Sequence, residues 1–381
     1  MLAFLFLLSI GGIAFTYFGY PLLIAAWAYF APRLVRYEPF EPAVTIVIVG
    51  HNEARSIAAK IDSCLAQDYP ADKLQVLIAS DGSTDDMLQV IAAYGNPRVR
   101  SIAFGERRGK AACLNDAVAA CDDEVLVFCD VRQQLDANAV RCLVENLSDD
   151  SVGAVSGELA FVADSATGFG EGVDAYWRYE KFIRQCEGAI ASVVGVTGAL
   201  YALRRSLWQP IPAHTILDDV MIPMNVVMQG KRVLFEKRAL AWDRPSTSPQ
   251  RERVRKVRTL AGNFQLLALR PDFLLPWRNP LFFQLFCHKV LRLAVPLFML
   301  TAFASNVLLA ARTPTWALLM AVQLAGYGLA FVGTAHAPLA RWKAVRLLST
   351  FVLMNGFVVL GFLDFLGNKN AHLWRTERST Q

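Results

Sequence analysis

The sequence predicts an α/β domain built on a parallel sheet and held between membrane-spanning helices. Two observations carry that reading. Short β-branched runs alternate with helical periodicity through the middle of the chain, and long apolar stretches lie at both ends. Hydrophobic residues fill 54% of the 381 positions, and mean hydropathy is +0.33. A soluble α/β domain alone would hold about 45–50% apolar residues, so the excess calls for a second environment.

Residues 2–31 contain no charged side chain, and about 20 apolar residues suffice to cross a bilayer. A cleaved signal peptide is the rival, with Ala26-Trp27-Ala28 as its small-residue cleavage site. The stretch has no basic leading region and outruns the usual apolar core of roughly 7–15 residues, so a retained helix over 1–31 is expected. Arg33 and Arg36 then place the next segment in the cytoplasm by the positive-inside rule.

The middle of the chain, 43–245, reads as one α/β domain. Val44 to Val49 is a continuous β-branched run, the mark of a strand buried on both faces. Helical spacing follows over Ser56–Leu65. Val76–Ile78 gives a second strand, closed by Ser80-Asp81-Gly82-Ser83, with a helix from Thr84 to Ala93. Val99–Phe104 and Val125–Phe128 are further strands, separated by a helix over Lys110–Ala120. This alternation implies parallel strands with right-handed crossovers.

The segment 250–280 is interfacial. Val254, Val257, Leu260, Ala261, Phe264 and Leu267 recur at helical spacing, with Arg251, Arg255, Lys256 and Arg258 on other faces. Such a helix lies on a bilayer, its arginines at lipid headgroups. The second apolar block, 281–367, divides into spans near Val290–Ala311, Trp316–Thr334 and Val345–Leu366. Arg341, Lys343 and Arg346 suggest a cytoplasmic turn between the last two. Counting crossings from a cytoplasmic domain puts the tail, 368–381, outside, while its Lys369, Arg375 and Arg378 argue the other way; a re-entrant or interfacial segment in this block is the alternative. A multi-pass protein of the cell (inner) membrane is expected, its middle domain cytoplasmic.

Other classes are excluded by what is missing. The seven cysteines form no CxxC pair and no metal-ligand spacing, and read as buried reduced thiols. The net charge of +5 is modest, and no basic run with interleaved aromatics points to nucleic acid. Neither a P-loop nor a Rossmann glycine pattern occurs.

Ligands of open α/β sheets bind beyond the carboxyl ends of the strands. Asn52, Glu53, Asp81 and Asp130 each follow a predicted strand, so an amide and three carboxylates converge on one rim. A single such Asp is an ordinary turn former; three after three apolar runs indicate a site.

At these positions the chain resembles the large inverting glycosyltransferase family 2 that includes cellulose, hyaluronan and poly-N-acetylglucosamine synthases. The likeness rests on ordered motifs from Val44 to Gly262: Val49-Gly50-His51-Asn52-Glu53; Asp81-Gly82-Ser83-Thr84-Asp85-Asp86; Arg108-Gly109-Lys110-Ala111 with Leu114-Asn115; and Asp130-Val131-Arg132-Gln133. It continues through Gly195-Val196-Thr197-Gly198 to Arg204-Arg205, Thr215-Ile216-Leu217-Asp218-Asp219 with Gly230 beyond it, and Arg255-Lys256-Val257-Arg258-Thr259.

The resemblance implies a GT-A type fold with flanking transmembrane helices, and it implies roles. Asn52, Glu53 and Asp81 would lie along the nucleotide. Lys110, at a helix start suited to phosphate, and Arg258 would neutralise the diphosphate. Asp130 would hold a divalent cation, Mg²⁺ or Mn²⁺. The family's second acid of Asp-x-Asp is replaced by Arg132, which either leaves Asp130 as the sole protein ligand or makes the guanidinium itself a phosphate donor. Thr197, Gly198 and Asp218 would border the acceptor. Asp219 would be the catalytic base that takes a proton from the acceptor hydroxyl; taken alone, Asp218 and Asp219 read as helix-capping acids. Thr259 stands where processive synthases carry Trp, which removes an acceptor platform.

The function implied is inverting transfer from a nucleotide-diphospho-sugar, a UDP-sugar favoured, to a glycan or lipid-linked acceptor at the bilayer, in extracellular polysaccharide synthesis. The alternative is a non-catalytic nucleotide-sugar sensor or subunit, for which Arg132 is the best argument.

Overall fold

The computed structural model describes residues 1–161, 170–244, 249–335, 339, 342–368 and 371–373. Eight strands form one sheet: β1 (Val44–Gly50), β2 (Leu74–Asp81), β3 (Val99–Phe104), β4 (Val125–Cys129), β5 (Gln134–Leu135), β6 (Val152–Phe161), β7 (Tyr201–Arg204) and β8 (Arg232–Asp243). The order across the sheet is β3-β2-β1-β4-β7-β6-β8-β5.

The first four neighbours, β3-β2-β1-β4, are all parallel. Strand β1 is buried along its whole length. Val47 and Val49 enter the core on one face, and Ile46 and Ile48 the core on the other. That two-sided burial is why the strand is a continuous apolar run and not an alternating one. The helices of this half are α2 (Ala54–Leu65), α3 (Met87–Ala93) and α4 (Lys110–Ala119).

Two expectations need correction here. The sheet is not parallel throughout: β7 runs antiparallel to both β4 and β6, and β5 antiparallel to β8. This reversal brings the start of β7 to the rim where β4 ends, with Tyr201 opposite Phe128. Helix α3 begins at Met87, not Thr84, because the preceding residues are used otherwise. The Thr84 amide donates to Asn52 Oδ1 at 2.7 Å, and Asp85 Oδ2 accepts from the Ala54 amide at 2.9 Å. Local side-chain bonds of this kind compete with helix formation.

The second half adds α5 (Ala139–Glu145), α6 (Gly170–Ile190) and α7 (Asp218–Met228). Helix α8 (Pro249–Leu269) is the amphipathic segment. Four helices are long and apolar enough to cross a membrane: α1 (Leu2–Phe30), α9 (Phe282–Ala310), α10 (Pro314–Ala335, apolar to Thr334) and α11 (Lys343–Gly367). Phe4, Leu22, Leu300, Leu318, Phe331 and Leu363 are among their exposed side chains, as lipid contact requires. Helix α9 starts about two turns before the predicted span because Leu281 and Leu285 are anchored in the domain core. Arg341, Lys369, Arg375 and Arg378 lie outside the described residues.

The membrane helices are tied to the domain by buried polar contacts. Tyr20 Oη donates to Glu187 Oε1 at 2.5 Å; His288 Nδ1 faces the same oxygen at 2.8 Å, and its Nε2 faces Glu180 Oε2 at 3.1 Å. Arg292 pairs with the other oxygen of Glu180. Burial alone would raise the Glu180 carboxyl, but Arg292 and His288 hold it well below the usual range. Removing one partner of such a set leaves an uncompensated buried charge, so the latch fixes α6 against α1 and α9.

Helix α8 is covered by α11 as well as facing the bilayer. The Phe264 ring lies 5.1 Å from that of Phe362. A methyl group on Gly361 would stand 2.7 Å from Leu260 Cβ and 3.0 Å from the Ala261 amide nitrogen. Only a glycine admits this approach. Beyond α11, the Ala371 carbonyl accepts from Arg258 Nε at 3.0 Å.

Candidate active site

The sheet rim is assembled by three loops that hold one another. Asn52 adopts φ +56°, a left-handed conformation that asparagine tolerates. Its amide nitrogen donates to Ser83 Oγ at 3.1 Å and its Oδ1 accepts from Thr84, so the loops after β1 and β2 are locked together. Asp81 is fully buried at the end of β2. Its two oxygens accept from the Arg108 amide at 2.6 Å and the Gly109 amide at 3.0 Å. What the structure shows of Asp81 is therefore a scaffold: it fixes the turn that delivers Lys110. Gly109, at φ +92°, is the residue before α4 and needs a conformation that side chains resist.

Lys110 is the first residue of α4. Its Nζ lies 2.9 Å from Asp130 Oδ1 and 3.2 Å from Asp218 Oδ2. Asp130 directly follows β4, and Asp218 opens α7. Burial would lower the lysine, but Asp130 and then Asp218 hold it well above its ordinary range. The contact to Asp218 is an ion pair by distance only, since Oδ2 is buried without a well-formed hydrogen bond.

Gly198 marks the centre of the site. A methyl group placed on it would stand 3.6 Å from Lys110 Nζ, 3.8 Å from Asp130 Oδ2 and 3.8 Å from Asp219 Cβ. The loop carrying it is held by the Val196 amide donating to the Asp219 carbonyl at 2.9 Å and by the Thr197 amide donating to Ser156 Oγ at 3.0 Å. Lys110, Asp130, Asp218 and Asp219 thus line one space from three segments, the first and last of them 109 residues apart.

Asp219 differs from its neighbour. Burial, then the Asp218 charge, pushes its carboxyl up to about 6, against the opposing pull of Lys110. Arg258 points into the same field; burial lowers its guanidinium, and Asp218, Asp219 and Asp130 counteract this. It remains cationic, as arginine does.

Glu53 and Arg132 meet at 3.3 Å, with Glu53 largely covered and Arg132 more than half exposed. Burial raises the Glu53 carboxyl and Arg132 opposes the rise. The residue that replaces the second acid therefore has an acidic partner of its own. Among the described residues no three His, Cys, Asp or Glu side chains cluster to hold a metal ion. Asp130 is 42% exposed, with Oδ1 engaged by Lys110 and Oδ2 toward Gly198. One carboxylate fits an Mg²⁺ or Mn²⁺ ion that takes its other oxygens from phosphates and water.

Sequence reasoning missed two contributors. Tyr201, in the motif after Gly198, is buried, stacks on Phe128 at 4.7 Å, and has a hydroxyl without a hydrogen-bond partner. Residues 371–373 cover the Lys110 turn: His372 Cδ2 is 3.2 Å from where a Gly109 methyl would stand. No signal in the sequence placed that segment there.

The chain matches the sequence profile of glycosyl transferase family 2 over residues 45–209 and that of glycosyl transferase family group 2 over residues 129–359. The fold is similar to a solved mannosyltransferase from Pyrobaculum calidifontis in complex with GDP-mannose and Mn²⁺, with a TM-score of 0.72 and 25% identity, covering 96% of this chain and 99% of that one. In sequence it is 30% identical to an N-acetylglucosaminyltransferase of Mesorhizobium japonicum, over 44% of this chain and 41% of that protein. It is 22% identical to a probable glycosyltransferase of Bacillus subtilis, over 64% of this chain and 61% of that one. The chain thus spans two fifths to about three fifths of these relatives. With a family profile matching more than half of its length and a GT-A type fold flanked by membrane-length helices, the protein belongs to glycosyltransferase family 2.

Proposed function

We propose that the protein transfers a sugar from a nucleotide-diphospho-sugar to a glycan or lipid-linked acceptor, with inversion, in extracellular polysaccharide synthesis. The observation that carries this is the meeting at Gly198 of a Lys110–Asp130 ion pair and a carboxylate, Asp219, whose proton affinity is raised. Asp219 takes the acceptor hydroxyl proton as that oxygen bonds to the anomeric carbon. The bond from that carbon to the diphosphate oxygen breaks, and the nucleoside diphosphate leaves with its electron pair. Lys110 and Arg258 bind the diphosphate and oppose the charge that develops on it. Asp130 would hold the divalent cation, which supplies further charge neutralisation when bound. Asn52, Glu53 and Asp81 order the nucleotide side; Thr197, Gly198 and Asp218 border the acceptor.

The test is release of nucleotide by purified protein in detergent, given UDP- and GDP-sugars with and without Mg²⁺ or Mn²⁺ and membrane extract as acceptor. Turnover of one donor that disappears in Asp219→Asn supports the reading. Nucleotide binding with no turnover of any donor sinks it in favour of a sensor or subunit.

The domain is assigned to the cytoplasmic side from Arg33 and Arg36. Contacts beyond the last helix support a reading of its path. Ala371 touches Arg258, and His372 lies at Gly109, so both ends of the segment 282–370 meet the domain. The chain between them crosses the bilayer an even number of times. Helices α9 and α10 form an antiparallel pair, joined by Asn306 Nδ2 donating to Gln323 Oε1 at 3.0 Å, and Trp316 packs on Phe6 at the far end of α1. Helix α11 is then the one that does not cross: it lies along α8 at the domain's face of the membrane.

A further inference from the structure

The proposed base stands at the start of a helix that does not fix its own entry. Helix α7 begins at Asp218, and the residue before it, Leu217, offers no side-chain oxygen to the free N–H groups of the first turn. The direction of Asp218 and Asp219 is therefore set by the loop that leads into α7, residues 208–217. The tip of that loop, Pro212 to His214, is exposed, while Ile211, Thr215, Ile216 and Leu217 are buried.

Two side-chain amides hold this loop, one before its tip and one at and after it. Asn115 Nδ2 donates to the Ile211 carbonyl at 2.8 Å, and its Oδ1 accepts from the Ile211 amide at 3.0 Å. Gln265 Nε2 donates to the His214 carbonyl at 2.8 Å, and its Oε1 accepts from the Ile216 amide at 2.9 Å. Each amide uses both donor and acceptor on the loop backbone, which fixes direction where a single bond would leave a pivot. Close packing reinforces the second clamp. A methyl group on Gly262, in the turn of α8 before Gln265, would stand 2.6 Å from Leu217 Cγ and 2.8 Å from Ile216 Cγ2.

The clamps come from the two helices that carry the phosphate-side cations. Asn115 is on α4, which Lys110 opens, and Gln265 is on α8 with Arg258. At 1.5 Å of rise per residue, Arg258 and Gln265 lie roughly 10 Å apart along α8. The groups proposed to meet the diphosphate and the loop that aims the base thus belong to the same rigid elements. We infer that Asn115 and Gln265 are positioning residues for Asp219: through the backbone of residues 211–216 they hold the start of α7, so that the carboxylate faces the acceptor hydroxyl. The role rests on the transfer reading and adds to it two residues that act only through the base. Without the clamps Lys110 and Arg258 keep their hold on phosphate while Asp219 loses its aim. Misplacement by about 1 Å can lower a rate by about 10²-fold.

The test compares Gln265→Met and Asn115→Leu with wild type, as full-length protein in detergent, using radiolabelled donor and membrane extract as acceptor source. Both changes keep the approximate side-chain shape and remove the hydrogen bonds. Each should lower kcat by about tenfold or more, while nucleotide affinity by titration and donor KM stay within about threefold of wild type. The same changes are then made in Asp219→Asn protein. A residue that acts through the base has nothing further to lose there, so the residual rate should change by less than about twofold. A loop support without influence on the base lowers both rates alike or neither. Equal losses in the two backgrounds overturn the inference, as does a kcat above about half of wild type in both variants. The two residues sit on different helices, so if one variant fails to bind nucleotide the other decides; if both fail, the amides hold the fold and not the base, and the inference falls. Wild-type protein that turns over no donor ends the transfer reading and this role with it, whereas wild-type turnover with unaffected variants ends the role alone.

Discussion

Replacing Asp219 by asparagine should remove activity and at the same time stabilise the protein at neutral pH. The carboxyl is raised from 3.8 to about 6 by burial and by Asp218. A raised carboxyl favours the folded state when protonated, below the unfolded value, and that advantage is lost as pH rises through the folded value. At pH 7.5 the charged group is therefore a burden. Two units at about 1.4 kcal/mol each bound it at roughly 3 kcal/mol, with less expected because Asp219 opens partly to the pocket. The amide removes the charge and keeps the shape. In thermal unfolding in detergent, the variant should melt above wild type at pH 7.5, and the two should converge as pH falls toward 4. In the same preparation, loss of the general base should lower kcat by about 10² to 10⁴. Wild-type kcat/KM should fall tenfold per unit below about pH 6, and the variant's residual rate should lack that limb. A variant less stable than wild type at pH 7.5, or one keeping more than a tenth of the activity, would refute the reasoning.

Lys110→Met leaves Asp130 and Asp218 facing each other without their cation; nucleotide affinity, measured by titration, should fall by about tenfold or more, since charge-assisted bonds to phosphate are the strong ones. Asp81→Ala strands the amides of Arg108 and Gly109, so stability should drop by about 1–3 kcal/mol for each N–H that water does not reach; an unchanged melting temperature would contradict the scaffold role. Gly198→Val meets nothing closer than ordinary contact at its first carbon, so the protein should fold with near wild-type melting while transfer is abolished because the shared space is filled. A cysteine introduced at position 373 should be labelled by a membrane-impermeant reagent only from the side on which a domain cysteine at position 132 is labelled; labelling from opposite sides would overturn the even count of crossings.

The parallel half of the fold was legible because each element there carries its own signal. Val44–Val49 is apolar on both faces, and Lys110–Ala119 has a glycine before it and a regular apolar face. The mixed half was not. Strands β6 and β8 are partly polar over their outer halves, and their pairing depends on the reversal at β7, which no local pattern announces. The same holds for α6. Glu187 is fully buried against Tyr20 and His288, partners 167 and 101 residues away. Charges paired over such distances become visible only once the chain is folded.

The site shows the same division. Motif order placed Lys110, Asp130, Asp218 and Asp219 together, and the family resemblance named Asp219 as the base. The surroundings of the two adjacent acids give that proposal a physical ground. Asp218 lies 3.2 Å from Lys110 Nζ, so its charge is balanced there. Among the described residues Asp219 has no cation within 4.0 Å, and its carboxyl is pushed up to about 6, within range to accept a proton near neutral pH. Environments that separate the behaviour of neighbouring acids support different roles for them. Helix α7 makes this separation by geometry: consecutive residues on a helix point about 100° apart. The Asp218 carboxylate turns toward Lys110 at the start of α4, and Asp219 lies toward Gly198. On the proposed reading, Asp219 is left to take the acceptor proton while Asp218 balances the lysine that binds the diphosphate.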